Sequence, residues 1–306
     1  MTAPQPFYLL NAFWGERFRR YFCEAWLPSV LSPGNLAGLD PSARNAILIA
    51  TTDQDWQAIT DHPARRRAAQ YFNLRHVSIP EDRGRHKFNR VAAAYGAMSE
   101  IAYHERARAF FMCPDHLLSD GSLRYLQGRL DAGAGIVFVA SWRSDEEKLF
   151  AALRGAGIAI FDRGDAAGEA LCLQSRDLVA ACRKSLHAME QDRIWDSPMF
   201  SRIPGIVYWP TPSGFVAHAL SGMPVIDFSR VTRHDIAGRL TWLIAEMLEN
   251  IGDEVAGALG SPWRTVNVRV WDTEPDTEVM GPYVWHLDGF AEEIFKVMVY
   301  VTPLCA

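Results

Sequence analysis

The sequence predicts an α/β fold, a mostly parallel sheet with helices on both faces. Three observations predict it. Apolar runs of strand length recur as far as Trp142, helical stretches alternate with them, and several runs are apolar throughout rather than at every second position. A strand buried on both faces gives that continuous pattern, and parallel sheets are covered on both sides by their crossover helices.

The first run, Pro6 to Gly15, ends in glycine and reads as a buried strand. The stretch after it places Phe18, Phe22, Ala25 and Trp26 on one helical face. "SPGN" at Ser32 to Asn35 is a turn by composition. "NAILIATTDQDW" is a second strand and "RHVSIP", Arg75 to Pro80, a third. Lys87 to Glu105 is alanine-rich and helical, and "ARAFFMCPD" is a fourth strand stopped by Pro114 and Asp115. "SDGSLRYLQGRLDAG" opens on a Ser-Asp cap signal and runs as a helix to Gly133, and "GIVFVASW" is a fifth strand. Short strands "GIAIFD", "GIVYWP" and "MPVIDF" follow, with one helix, "SRDLVAACRKSLHAM", among them. A domain of residues 1–228 is expected to end there. Residues 229–306 form a small α+β segment, a long amphipathic helix and two strands around "YVWHLDGF".

The chain has 306 residues, a net charge of -5, 49% hydrophobic and 22% charged residues. An acidic balance argues against a broad nucleic-acid footprint, and the one dense basic run, "HPARRR" at His62 to Arg67, reads as a solvated helix face or loop. Five cysteines without a C-x-x-C pair read as free thiols in a reducing compartment. No apolar run approaches the roughly 20 residues of a membrane span, and no basic-then-apolar leader opens the chain, so a cytoplasmic protein is expected.

In parallel sheets ligands bind at the carboxyl ends of the strands. Those ends carry Asn11, Thr52, Asp53 and Asp115, and neither a G-x-G-x-x-G nor a Walker A motif occurs. "FFMCPDHLLSDGSLRYLQGRL" delivers Asp115 to the end of an apolar strand. A carboxylate there can hold a divalent ion that neutralises a leaving diphosphate, or it can simply cap a turn. The segment resembles the metal-binding region of GT-A-fold glycosyltransferases (nucleotide-diphospho-sugar transferases), in which an apolar strand ends in D-x-D. Here that motif reads Cys113-Pro114-Asp115. The resemblance spans roughly Pro6 to Asp227. It implies a nucleotide-sugar donor held by Asn11, Thr52 and Asp53, with Asn89 and Arg90 near the diphosphate. It also implies Mn2+ or Mg2+ on Asp115 and a glycan or small-molecule acceptor. An acceptor hydroxyl needs a general base. Asp227 and His218 are the candidates, though a lone histidine in an apolar setting like that of His218 is more often a hydrogen-bonded core residue. Asp192 to Asp196 and Trp209 are candidates for contact with the acceptor, since sugar C–H faces stack on aromatic rings.

Within "YVWHLDGF", strand alternation projects His286 and Asp288 to one side, two of the three ligands of a 2-His-1-carboxylate iron site. "VWHLDGFAEEIFKVMVYVTPL" resembles the metal-binding region of phytanoyl-CoA dioxygenase-like enzymes, which implies Fe2+ and 2-oxoglutarate. No His or Arg follows Asp288, so the segment is read as an incomplete dioxygenase-like unit, either a residual one whose His286 and Asp288 are surface or packing groups or one completed by a partner chain or homo-oligomer. Three functions are therefore carried forward: a glycosyltransferase, a non-haem iron dioxygenase, and a degenerate sugar-nucleotide-binding protein.

Overall fold

A computed structural model describes residues 4–80, 87–139, 142–195, 197–198, 206–210, 215–219, 223–231 and 298–302. The predicted helix after residue 232, Asp196, His286, Asp288 and Cys305 lie outside the described residues.

Strand β1 spans Phe7–Ala12 and is followed by α1, Glu16–Tyr21, which continues through a π-helical turn at Phe22–Trp26 into α2, Leu27–Val30. Next come α3 (Pro33–Leu36), β2 (Ala46–Thr51), α4 (Asp53–Ile59), α5 (Pro63–Ala68) and β3 (Asn73–Ser78). Helix α6 spans Lys87–His104 and leads into β4, Arg108–Met112, and β5, His116–Leu118. Helix α7 (Ser122–Asp131) precedes β6 (Ile136–Val139), β7 (Trp142–Asp145), α8 (Glu146–Gly155) and α9 (Ser175–Lys184). Strands β8 (Ile206–Pro210), β9 (Phe215–Ala219), β10 (Met223–Asp227) and β11 (Met298–Thr302) follow among the described residues.

The central sheet has six strands in the order β3-β2-β1-β4-β10-β6. The first four are mutually parallel, with Asn11 beside both Ile49 and Met112. β10 runs antiparallel between β4 and β6. The protein is thus α/β with a mostly parallel sheet, as the apolar runs predict. The alternation within each strand assigns the layers. Phe7, Leu9, Ile47, Ile49, Phe110 and Met112 pack with the α1–α2 rod and α7. Tyr8, Leu10, Leu48, Ala109 and Phe111 pack on the other face with Ala94, Tyr95, Met98 and Ala102 of α6. Both faces of β2 are buried, so Ile47, Leu48 and Ile49 each contribute about 1.5–3 kcal/mol of transfer free energy. A satellite core of Leu117, Leu149, Phe150, Leu153, Leu178 and Cys182 carries α8 and α9 beside the sheet.

Four local expectations change. Ser32 to Asn35 opens a short helix, because Pro33 suits its first position and Asn35 is buried as a clamp. Asn35 Nδ2 donates to the Ser29 and Ser119 carbonyls, and its Oδ1 accepts from Leu123 N–H. α7 starts at Gly121 in the left-handed region rather than from a Ser or Asp side-chain cap. "GIAIFD" forms no strand, since Ile160 and Phe161 serve the satellite core. "GIVFVASW" splits into β6 and β7.

The basic run becomes α5, with Ala64 and Ala68 buried and Arg65 stacked 4.4 Å from the Trp56 ring. His62 Nδ1 accepts from Ala64 N–H at 3.2 Å and caps this helix. Burial, with Arg66 nearby, holds the His62 pKa below its ordinary value. In the unfolded chain the ring takes up a proton at a higher pH than in the fold. Its stabilisation is therefore complete above about pH 6.5 and is lost as pH falls below it. His62→Asn keeps an acceptor without a titration. Urea denaturation at pH 7.5 and 5.5 is expected to show a smaller acid loss in this variant than in the wild type. The difference is bounded by the worth of a cap, about 1 kcal/mol. Equal losses would remove His62 from the acid response.

Candidate active site at the carboxyl edge of the sheet

Parallel strands β1, β2 and β4 all end on one edge, and the loops leaving them carry most of the predicted site residues. Asn11 is fully buried near the end of β1, between β2 and β4. Its Oδ1 and Nδ2 make no hydrogen bond among the described residues, and Thr51 Oγ1 is in the same condition. An unpaired buried amide costs about 1–3 kcal/mol, and such groups mark places where a ligand or water completes the bonding.

The β2 loop is held by hydrogen bonds of its own. Thr52 caps α4 by accepting from Asp55 N–H at 3.1 Å, and it donates to Asp55 Oδ2 at 3.0 Å. Asp53 is exposed and accepts from Ser78 Oγ at 2.8 Å, with His76 Nε2 3.9 Å away. The residue that sequence reasoning missed is Asp55. It is buried, and its carboxylate accepts from Gly15 N–H at 2.8 Å and from Arg19 Nη1 at 2.8 Å. One side chain thus ties the loop after β1 to the loop after β2. Gly15 sits at φ +84°, where glycine is favoured, so the chain turns there and α1 begins. The signal available in the sequence was the Thr52-x-x-Asp55 spacing of a capping pair.

Arg90 on α6 stacks 4.3 Å from the Trp14 ring and donates to the Pro80 carbonyl at 3.0 Å. Its Nε is buried and unpartnered among the described residues. Asn89 lies in the same first turn, one residue earlier. Trp14 follows β1 and Pro80 follows β3, so Arg90 belongs to the same edge.

After β4 the chain turns through Cys113 and Pro114 to Asp115, which is 2% exposed. Tyr95 of α6 donates its hydroxyl to the Met112 carbonyl at 2.5 Å and fixes the end of this strand. Burial, then the nearby Asp115 carboxylate, pushes the Cys113 thiol up to about 12, so it stays protonated. Burial pulls His116 down to about 3, and its Nδ1 accepts from Cys113 N–H at 2.9 Å. Among the described residues no group of three His, Cys, Asp or Glu side chains is placed to hold a metal. A single carboxylate suits an ion that keeps its waters and arrives bound to substrate phosphates, as Mg2+ does, rather than a resident one.

Asp227 stands apart from this cluster. β10 runs antiparallel, so its carboxyl end reaches the opposite, amino edge of the sheet, where Asp227 pairs in register with Arg108 at the start of β4. Asp227 Oδ1 accepts from Gln5 Nε2 at 2.6 Å and from Ser229 Oγ at 2.6 Å, and it caps the turn at Phe228–Arg230. Its surroundings are those of a structural carboxylate. His218 lies on β9, opposite Val207 of β8, in a separate two-stranded sheet. Trp209 of β8 has its ring 6.2 Å from that of exposed Trp195. Cys23, Cys113, Cys172 and Cys182 are all free.

The protein is α/β, and the loops at the carboxyl ends of its parallel strands lie where sheets of this class bind ligands. No protein-family profile and no curated sequence matches the chain. Among solved structures it is similar to apo mouse xyloside xylosyltransferase 1, at 10% identity and a TM-score of 0.38, over 98% of this chain and 85% of that one. It is also similar to a glucose-1-phosphate thymidylyltransferase of Bacillus anthracis solved with sucrose. There the identity is 12% and the TM-score 0.30, over 47% of this chain and 58% of that one. A third likeness is to the apo WbbM bifunctional glycosyltransferase, at 8% identity and a TM-score of 0.33. It covers 73% of this chain and 32% of that one. Scores at this level do not define an activity. Among the described residues no helix is long and apolar enough to cross a membrane.

Proposed function

We propose that the chain is a GT-A-like glycosyltransferase that moves a sugar from a nucleotide-sugar donor to an acceptor. The observation that carries this reading is the convergence of Asn11, Asp53, Arg90 and Asp115 on one edge of a mostly parallel sheet. The open amide of Asn11 and the exposed carboxylate of Asp53 are suited to the nucleoside. The buried Nε of Arg90 supplies a donor for a diphosphate oxygen, and its guanidinium charge favours the departing diphosphate. Asp115 offers one carboxylate to a Mn2+ or Mg2+ ion carried in on the diphosphate. When bound, that ion would neutralise charge on the leaving group. Asp115 is 2% exposed, so loading the donor requires this carboxylate to become accessible. The acceptor hydroxyl still needs a base, and the placement of Asp227 on the far edge leaves that role to another residue.

The test is thermal shift and calorimetry with UDP and GDP, each with and without Mn2+. Stabilisation by at least one nucleotide, enhanced by the ion, is expected. Asp115→Ala is expected to weaken ion-dependent nucleotide binding at least tenfold while leaving the melting temperature of the free protein within a few degrees. Unchanged binding in a folded Asp115→Ala would remove the carboxylate from the site. Indifference of the wild type to all four mixtures would end the transferase reading.

A further inference from the structure

An open cleft of about 530 Å3 lies beside α1, lined by Glu16, Arg17, Arg20, Tyr21, Glu146 and Phe161. This volume is within the range of small-molecule sites. Its chemistry is specific in what it refuses. Arg17 is matched by Glu146 at 2.7 Å, and Arg20 by Glu24 at 3.1 Å and Asp162 at 2.8 Å. No guanidinium is left over for a phosphate or carboxylate ligand. The Arg20 guanidinium lies over the Phe161 ring at 4.5 Å, and that ring makes T-shaped contacts with Tyr21 and Phe150, so no bare apolar wall is offered either. What remains is a ring of charged groups with spare hydrogen-bonding capacity. An ion-paired guanidinium keeps further N–H donors, and a carboxylate keeps further lone pairs. Tyr21 is 2% exposed, and its hydroxyl makes no hydrogen bond of ordinary geometry among the described residues, although Glu146 and Arg17 stand beside it. Glu16 adds a carboxylate with no ion pair among the described residues, so a ligand that both donates and accepts at many points, without negative charge, fits this surface.

The cleft also adjoins the carboxyl edge. Glu16 at its mouth follows Gly15, whose N–H is held by Asp55, and Gly15 leads out of β1. We propose that this cleft binds a neutral, hydroxyl-rich ligand, a saccharide or polyol, and that it serves the acceptor. The acceptor role rests on the transferase reading above; the binding itself does not.

Saturation-transfer NMR on the full chain with the methyl glycosides of glucose, galactose, mannose and xylose tests the proposal, with inorganic phosphate as the anionic competitor. At least one glycoside is expected to receive transfer at millimolar concentration. Glu16 is exposed, so Glu16→Trp fills the mouth without entering the core and is expected to abolish the signal. Glu146→Gln is expected to weaken it at least fivefold. Circular dichroism checks that both variants are folded. No transfer to any of the four glycosides, signals undiminished in both variants, or displacement by phosphate would overturn the proposal. UDP and GDP binding with Mn2+, measured on the same samples, separates the two readings. Nucleotide binding without glycoside binding rejects the cleft and leaves the transferase. Glycoside binding without nucleotide binding rejects the acceptor role.

Discussion

Asp55→Ala is expected to lower the unfolding free energy by about 3 kcal/mol, near the low end of the range for breaking a buried ion pair. The carboxylate has three partners at 2.8–3.0 Å, the Gly15 N–H, the Arg19 guanidinium and the Thr52 hydroxyl. Removing it leaves a backbone donor with no acceptor, at a cost of about 1–3 kcal/mol. It also strands the charge of Arg19, whose side chain is 29% exposed, so water recovers part of that loss. Asp55→Asn retains an acceptor oxygen and is expected to cost less than half as much. Both are read from the urea midpoint. A loss under 1 kcal/mol in Asp55→Ala would show that the two loops hold their positions without this residue. The same variant is expected to weaken nucleotide binding, because the β1 and β2 loops would no longer move as one body.

Gly38→Ala is the second large effect, and it comes from geometry alone. A Cβ at Gly38 would sit 2.2 Å from the Arg124 Cα and 2.4 Å from its N, inside the backbone of α7. A flexible side chain could swing away from such a contact, but a helix backbone cannot. The loop after α3 and α7 must separate, straining the Asn35 clamp that bonds Leu123 N–H at 2.9 Å. The expected cost is about 3 kcal/mol, the upper part of the range for overpacking. Gly128→Ala, on the same helix with open space at its Cβ position, is the control and is expected to be neutral or mildly stabilising. If Gly38→Ala matched this control, the close approach would not exist in solution.

The sheet was legible because burial on two faces writes itself into composition. Phe7 to Ala12, Ala46 to Thr51 and Arg108 to Met112 all appeared as strands, since parallel strands under helices carry few polar positions. The carboxyl-edge residues followed from the strand ends by the same logic. Strand direction was not legible. Met223 to Asp227 reads as a short apolar strand either way, and only its antiparallel pairing with β4 sends Asp227 to the far edge. Asp55 was missed because it lies inside α4, where an acidic residue near a helix start reads as ordinary. Its function depends on a glycine and an arginine brought in from another loop. The His286 and Asp288 motif was the plainest text in the chain, and it lies outside the described residues.

The position of β10 has a consequence for how the chain is made. Phe110 pairs with Val225, so the inner edge of β4 stays open until the ribosome has delivered a strand encoded far downstream. β6, although synthesised much earlier, joins the sheet among the described residues through β10. The nascent chain therefore passes through a long interval with four parallel strands assembled and an apolar strand edge exposed, the kind of surface that attracts other chains. Production of this protein is expected to depend on translation speed and chaperone supply more than its finished, well-packed sheet would suggest.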